Sequence, residues 1–193
     1  MCKKYLIPIL FLLSILTNKS YSQELSLDDD VSLSNISFYS NLKQGKIVFA
    51  TTEVEAEFNS LTIQKQSSFF NSNEWFYNLY FDYMFNKSKV NIYSGLVSIG
   101  KVVKLNDRIT LNPSIGYGMS LYKEQSTIQN VNSVGNNFFG QATIDYNIKD
   151  NIAVSLNLQI NYQTHARSLT ATNNADELVF MYTTTGIGIT WRL

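Results

Sequence analysis

The sequence predicts an all-β protein that folds as an eight-stranded antiparallel up-and-down transmembrane β-barrel. From Lys46 to the C-terminus, apolar and polar residues alternate with a period of two, which is the pattern of strands with two different faces. The alternating segments exceed the ~5–6 residues of typical globular strands and reach the ~9–11 residues that a membrane-crossing strand needs. In the second half of the chain, tight turns alternate with long polar connections, as they do in membrane barrels.

The composition agrees with such a barrel and excludes several other classes. The chain has 193 residues, with 15 basic and 15 acidic side chains, and its charged fraction of 16% is low beside the ~25% of soluble domains. A mean hydropathy of −0.09 argues against several membrane-spanning helices. A net charge of zero argues against a nucleic-acid binder. With one Cys and one His, neither a disulfide framework nor a zinc cluster is expected, and no metal or cofactor is predicted.

The N-terminus, residues 1–22, is predicted to be a cleaved signal peptide. Cys2-Lys3-Lys4 supplies a basic start, an apolar run follows from Tyr5 to Leu16, and Ser20-Tyr21-Ser22 offers small residues for cleavage before Gln23. The apolar run is shorter than the ~20 residues of a spanning helix, although an uncleaved membrane anchor remains the alternative.

The mature chain is predicted to contain a polar lead-in, residues 23–45, and a barrel, residues 46–193. The lead-in carries Asp28-Asp29-Asp30, interpreted as a solvated tail, and a short strand around Ile36 and Phe38 is left open. The alternation places eight strands near residues 46–58, 61–70, 74–86, 89–104, 108–122, 137–148, 152–164 and 178–193. Loops 123–136 and 164–177 are the long connections, and they are the segments expected to make surface contacts.

The apolar faces indicate contact with lipid rather than with a soluble core. They carry almost no charge along long strands, whereas the opposite faces hold amides, hydroxyls and glycines, as a polar barrel interior does. Aromatic residues near strand ends predict a girdle at the membrane interfaces. The girdle residues are Trp75, Phe138, Tyr162 and Trp191. A soluble sandwich or lipocalin-like barrel would alternate in the same way with its apolar face inward, and it remains the alternative.

Two segments resemble a known family. The final Ile187-Gly188-Ile189-Thr190-Trp191-Arg192-Leu193 resembles the C-terminal strand of Gram-negative outer-membrane proteins, although it ends in Leu193 rather than in an aromatic residue. The turn and strand from Leu105 to Pro113, followed by Gly116-Tyr117-Gly118, resemble those of small OmpA/OmpX-like barrels. The resemblance implies an outer-membrane location, and the alternation of tight turns with long loops places the C-terminus on the periplasmic side. The resemblance also implies outer-membrane lipids and the barrel-assembly machinery as partners, no nucleic acid, and an extracellular partner that it leaves unspecified.

An acidic row is the clearest candidate for the barrel interior. Glu53, Glu55 and Glu57 recur at every second position and are predicted to face the lumen, with Lys101 and Arg192 as possible partners. Because eight-stranded interiors are about filled by side chains, structural ion pairs are the favoured interpretation. A narrow cation-preferring pore is the alternative.

Enzymatic chemistry has little support in the sequence, and no catalytic residue is predicted. His165, Ser168, Asp176 and Glu177 lie close together along the chain, and some eight-stranded barrels are lipid A deacylases that use a His/Ser/Glu set. In those barrels His and Ser are two residues apart, whereas here they are three apart and would face opposite sides of a strand. We therefore expect an exposed loop histidine and a non-enzymatic protein with a structural or surface-contact role. The narrow pore is the second hypothesis and a lipid-modifying enzyme the third.

Overall fold

Antiparallel strands make up nearly all of the described chain. The computed structural model describes residues 34–49, 52–69, 72–87, 90–125, 130–167 and 176–193, so the predicted signal peptide lies outside the described residues. The strands are β1 (Ser34–Phe49), β2 (Thr52–Phe69), β3 (Ser72–Phe85), β4 (Val90–Lys101), β5 (Val103–Lys104), β6 (Ile109–Gln125), β7 (Asn130–Lys149), β8 (Ile152–Arg167) and β9 (Asp176–Arg192). No helix in the described ranges is long and apolar enough to cross a membrane.

The strands close into a barrel. Each strand pairs with its neighbours along the chain, β1 also pairs with β9, and β4 pairs with β6. The short β5 continues β4 along the same edge of β6, so the nine segments occupy eight positions in the ring, which confirms the predicted fold class. Followed once around the ring, the cross-strand pairing leads from Lys65 through Leu79 and Val97 back to Glu55, a shift of ten residues. A closed barrel of tilted strands requires such a stagger.

The interruption between β4 and β5 lies opposite Pro113. Gly100 pairs with Ser114 and Val103 pairs with Leu111, so Val102 and its predecessor Lys101 lie across from Asn112 and Pro113 without ladder bonds. Proline has no N–H to donate, which explains why the ladder breaks at this point and then resumes in the same register.

The first predicted strands are wrong in their bounds. Residues 34–45, predicted as lead-in, belong to β1, and the predicted strand 46–58 spans the connection between β1 and β2. The predicted strand 61–70 is the second half of β2. The alternation continues through the connection, and no Gly or Pro marks the turn. The pattern therefore predicts one continuous strand where β1 ends and β2 begins. The predicted number of strands is still correct, because two strands are predicted in the region where β1 and β2 lie.

The predicted long loops are shorter than expected, because the strands on either side extend into them. β6 continues to Gln125 and β7 begins at Asn130, so most of the predicted loop 123–136 is paired. β8 continues to Arg167 and β9 begins at Asp176, which shortens the predicted loop 164–177 at both ends. Cross-strand hydrogen bonds hold these polar residues in strands although their composition is typical of loops.

The two faces of the sheet follow the prediction in the second half of the chain. On β6 to β9 the predicted apolar positions point outward and the positions between them point into the barrel. Inward glycines permit close approach of the backbones, since a Cβ added at Gly118 would lie 2.2 Å from the carbonyl oxygen of Gly95. The exterior is therefore apolar, and the interior holds amides, hydroxyls and a few charged groups.

Candidate functional site: the barrel interior and its distal mouth

The barrel has two distinguishable ends. At the terminal end, Ser34 begins β1, and its carbonyl oxygen accepts a 2.8 Å hydrogen bond from the backbone N–H of Leu193. At the opposite, distal end lie the connections that follow β1, β3, β6 and β8. The interior between these ends has three layers: one at the centre, one toward the distal end and one toward the terminal end.

A buried ion pair occupies the centre of the interior. The Nζ of Lys43 on β1 lies 2.5 Å from a carboxylate oxygen of Asp82 on β3, and both side chains are almost fully buried. The hydroxyl of Thr62 donates to the other Asp82 oxygen at 2.7 Å, and the Lys43 ammonium lies 5.0 Å from the ring centroid of Tyr182. This arrangement compensates both buried charges within the barrel, which is the condition under which buried ions are tolerated. The sequence does not indicate this ion pair, because Lys43 lies in the predicted lead-in and not in a predicted strand.

Apolar side chains fill the interior toward the distal end. We call this set the cap cluster, and it consists of Phe58, Met84, Val90, Ile92, Tyr122, Leu178, Phe180 and Tyr182. Each member is at most 8% exposed, and edge-on ring contacts join Phe58 to Phe180 at 6.3 Å. An aqueous channel is lined by polar groups. The cap cluster instead closes the interior with packed hydrocarbon.

A hydroxyl and amide network fills the interior toward the terminal end. Asp145 accepts hydrogen bonds from the Asn112 amide at 2.7 Å and from the Ser155 hydroxyl at 2.6 Å. The Thr190 hydroxyl links Ser155 to Ser37, each at 2.7 Å. These residues come from five different strands, so the network ties the wall together across the interior. The layer is polar and filled by its own side chains.

His165 lies inside the barrel, so the expectation of an exposed loop histidine is wrong. The side chain is 1% exposed, and its Nε2 lies 2.8 Å from the Gln163 amide nitrogen and 3.3 Å from the Ser120 hydroxyl. The rings of Tyr122 and Phe180 pack beside it at 5.6 and 5.7 Å. The chain continues as strand through Thr164, and this turns residue 165 inward. Ser168 lies outside the described residues. The contact between Ser120 and His165 is therefore enclosed within the barrel.

The acidic row faces outward rather than into the lumen, which corrects its predicted role. On β2 the inward positions are even-numbered, as shown by the buried Phe58 and Ser60, so Glu53, Glu55 and Glu57 share the outward face and are exposed. The Lys46 Nζ lies 2.8 Å from a Glu53 carboxylate oxygen on this surface. Because side chains alternate strictly along a strand, the unrecognised reversal between β1 and β2 inverted the predicted facing.

The two cations proposed as partners of the row lie at the terminal end. The Lys101 Nζ lies 3.2 Å from a Glu74 carboxylate oxygen. The Arg192 guanidinium donates to the Asn147 side-chain oxygen at 2.6 Å. Neither contacts the acidic row, whose residues begin β2 at the distal end.

The four predicted girdle residues all face outward, each between 38% and 53% exposed. Trp75 and Trp191 lie near the terminal end, where Trp191 packs edge-on against Phe38 at 5.8 Å. Phe138 and Tyr162 are cross-strand partners farther toward the distal end. The structure thus places aromatic residues at two levels of the outer wall, and their role at membrane interfaces stays a prediction.

Among the described residues, no group of three or more His, Cys, Asp or Glu side chains could hold a metal ion. That the protein uses no metal stays a prediction. Within the part of the chain that the structure describes, the interior contains the Lys43–Asp82 ion pair, His165, hydrogen-bonded amides and hydroxyls, and the cap cluster.

Comparison with known proteins supports the fold and leaves the activity open. The sequence matches no protein-family model and no curated protein. The crystal structure of Neisserial surface protein A superposes with a TM-score of 0.62 at 10% identity, over 82% of this chain and 97% of that chain. The crystal structure of Ail, the attachment invasion locus protein of Yersinia pestis, superposes with a TM-score of 0.51 at 15% identity, over 84% of this chain and 99% of that chain. The chain therefore has the fold of small outer-membrane β-barrels.

Proposed function

We propose that the protein is a non-conducting outer-membrane barrel that anchors its distal strand ends at the cell surface for contact with other molecules. The observation that carries this proposal is the closed interior. The cap cluster, the Lys43–Asp82 pair and the Asp145 network follow one another along the barrel axis, and each layer is filled by side chains. Eight strands enclose a space just wide enough for such filling.

The outer wall supports the proposed orientation. On β7 the outward positions Phe138, Ile144, Tyr146 and Ile148 are apolar or aromatic, whereas Asn132 and Asn136 lie beyond them toward the distal end. β7 has 20 residues, well beyond the ~9–11 needed to cross a membrane. The surplus lies at the distal end, where a membrane barrel carries its extracellular parts, and its outward side chains are Asn132 and Asn136 with the exposed Val134 between them. The distal ends of β6 to β9 are thus the proposed contact surface.

Reconstituted wild-type protein is expected to show no resolvable channel steps in planar-bilayer recordings, because the cap cluster and the central ion pair leave no continuous aqueous path. A triple variant, Phe58→Ala, Phe180→Ala and Lys43→Ala, removes material from both layers and is expected to produce resolvable steps. Heat-modifiable gel migration would show whether the variant is folded. Regular cation-selective steps from folded wild-type protein would refute the non-conducting barrel and restore the pore hypothesis.

Cysteine labelling is expected to place the distal end outside the cell. The only native cysteine is Cys2, in the predicted signal peptide, so single introduced cysteines report their own position. Glu55→Cys, on the exposed distal part of β2, should react with a membrane-impermeant maleimide on intact cells. Asp107→Cys, in the exposed turn before β6, should react only after the outer membrane is permeabilised. The reverse pattern would contradict the proposed orientation.

A further inference from the structure

Three aromatic rings stack on the outer wall where β3 and β4 approach the distal end. The Tyr83 ring stacks on Phe85 with centroids 5.3 Å apart, and on Tyr93 with centroids 4.9 Å apart. The planes differ by 25° and 24°, so the rings form one column. The Tyr83 hydroxyl donates to the Asn91 side-chain oxygen at 2.8 Å, which helps to fix the column in place. We call these three rings the aromatic column.

A lysine from the next strand lies beside the aromatic column. The Lys123 Nζ lies 5.4 Å from the ring centroid of Tyr93, within the range of a cation–π contact. Lys43, Lys46 and Lys101 each have a carboxylate within ion-pair distance. Within the described ranges, no such pair involves Lys123, and its side chain is exposed. The ammonium is thus oriented by an aromatic face while its charge stays available to an anion.

The aromatic column lies at the level where the outer wall changes from apolar to polar. From Tyr93 toward the terminal end, the outward residues of β4 include Val97 and Ile99, both more than half exposed. Toward the distal end the outward residue is Asn91, which pairs across the ladder with Lys123. In a membrane this level corresponds to the boundary between acyl chains and headgroups, where aromatic residues concentrate.

We propose that the aromatic column and Lys123 form a binding site for the phosphorylated sugar headgroup of an outer-leaflet glycolipid. A sugar ring presents C–H groups that pack on aromatic faces, a phosphate forms a charge-assisted contact with an ammonium, and acyl chains cover the apolar wall below. A phosphorylated glycolipid carries these three elements in the same order along its length. The proposal rests on the proposed function, since it requires the distal end to lie in the outer leaflet.

Binding to three probes would test the site and its chemistry. Purified folded protein in nanodiscs of neutral phospholipid is titrated with bisphosphorylated lipid A, with lipid A stripped of phosphate, and with phosphatidylglycerol, and bound lipid is counted by native mass spectrometry. The wild type should bind bisphosphorylated lipid A at least tenfold more tightly than either other probe. Lys123→Ala and Tyr93→Ala should each lose most of this preference, whereas Lys123→Arg should keep it.

Lys65→Ala is the matched control, because Lys65 is also an outward, exposed lysine on the barrel wall but lies on the part of β2 nearer the terminal end. Its binding should equal that of the wild type. Equal binding of all three probes, or Lys123→Ala binding like the wild type, would overturn the proposal. Equal binding of phosphatidylglycerol and lipid A would assign Lys123 to phosphate in general and reject the sugar. Because these measurements use purified protein, their failure is distinguishable from a failure of the labelling experiment, which tests orientation in cells.

Discussion

Replacing Lys43 with methionine is expected to destabilise the barrel by about 3–5 kcal/mol, because it leaves the Asp82 carboxylate buried without its cation. Methionine keeps most of the side-chain length, so the loss reports the charge rather than a cavity. Among the described residues, Thr62 would still donate its 2.7 Å hydrogen bond to Asp82, but no cation would face the carboxylate. Urea unfolding of the barrel in lipid vesicles, followed by tryptophan fluorescence, measures the change in the free energy of unfolding.

The double variant Lys43→Met, Asp82→Leu is the informative control. Removing both charges eliminates the uncompensated ion, so the double variant should recover most of the stability lost in the single variant. If Lys43→Met alone unfolds like the wild type, the ion pair does not hold the interior together. If the double variant is as unstable as the single one, packing and not charge compensation explains the loss.

Placing an arginine at Ile115 is expected to cost about 2–4 kcal/mol, the penalty of a cation near the middle of the lipid-facing wall. Ile115 points outward from β6 and is 52% exposed, with Ile99 as its ladder partner on β4 and Gly140 as its partner on β7. In a protein whose outer wall faced water, the same substitution would change stability by a few tenths of a kcal/mol. The measurement is again vesicle unfolding, with outer-membrane yield in cells as a second readout.

Glu55→Arg is the matched control for the Ile115 variant. Both side chains face outward, but Glu55 lies near the distal start of β2, where the wall is polar and the cost of a cation falls toward ~0–1 kcal/mol. A large loss at Ile115 together with a small one at Glu55 would locate the apolar band. Similar small effects at both positions would favour the soluble-barrel alternative.

The errors of the sequence-based prediction in the first half of the chain have one common origin. Between Lys46 and Phe58 the alternation runs without a turn signal, so the reversal after Phe49 was not recognised. A strand's facing follows from its register, and an unrecognised reversal inverts the predicted facing of the residues that follow it in the same predicted strand. The acidic row, predicted to face the lumen, therefore lies on the outer wall, and Lys43, predicted to lie in the lead-in, lies on β1.

The candidate site was predictable only where the alternation kept one phase along a single strand. The outward facing of Phe138, Tyr162 and Trp191 followed from clean alternation on β7, β8 and β9, and the structure agrees. The cap cluster had no sequence signal of its own. Met84 and Tyr122 fall on faces that the alternation predicts to be polar, whereas Phe58 falls on the face predicted to contact lipid. Interior positions near a barrel mouth are determined by what packs across the lumen, which a pattern read along one strand does not contain.

The sequence by itself determined the fold class, the number of strands and the facing of the second half, because alternation and strand length are local properties of the chain. Only the tertiary structure decided which residues meet in the interior. The Lys43–Asp82 pair joins β1 to β3, and the aromatic column with Lys123 joins β3, β4 and β6. Such contacts depend on the register and stagger with which the ring closes. That closure is a property of all eight strand positions together and is not encoded in any single segment.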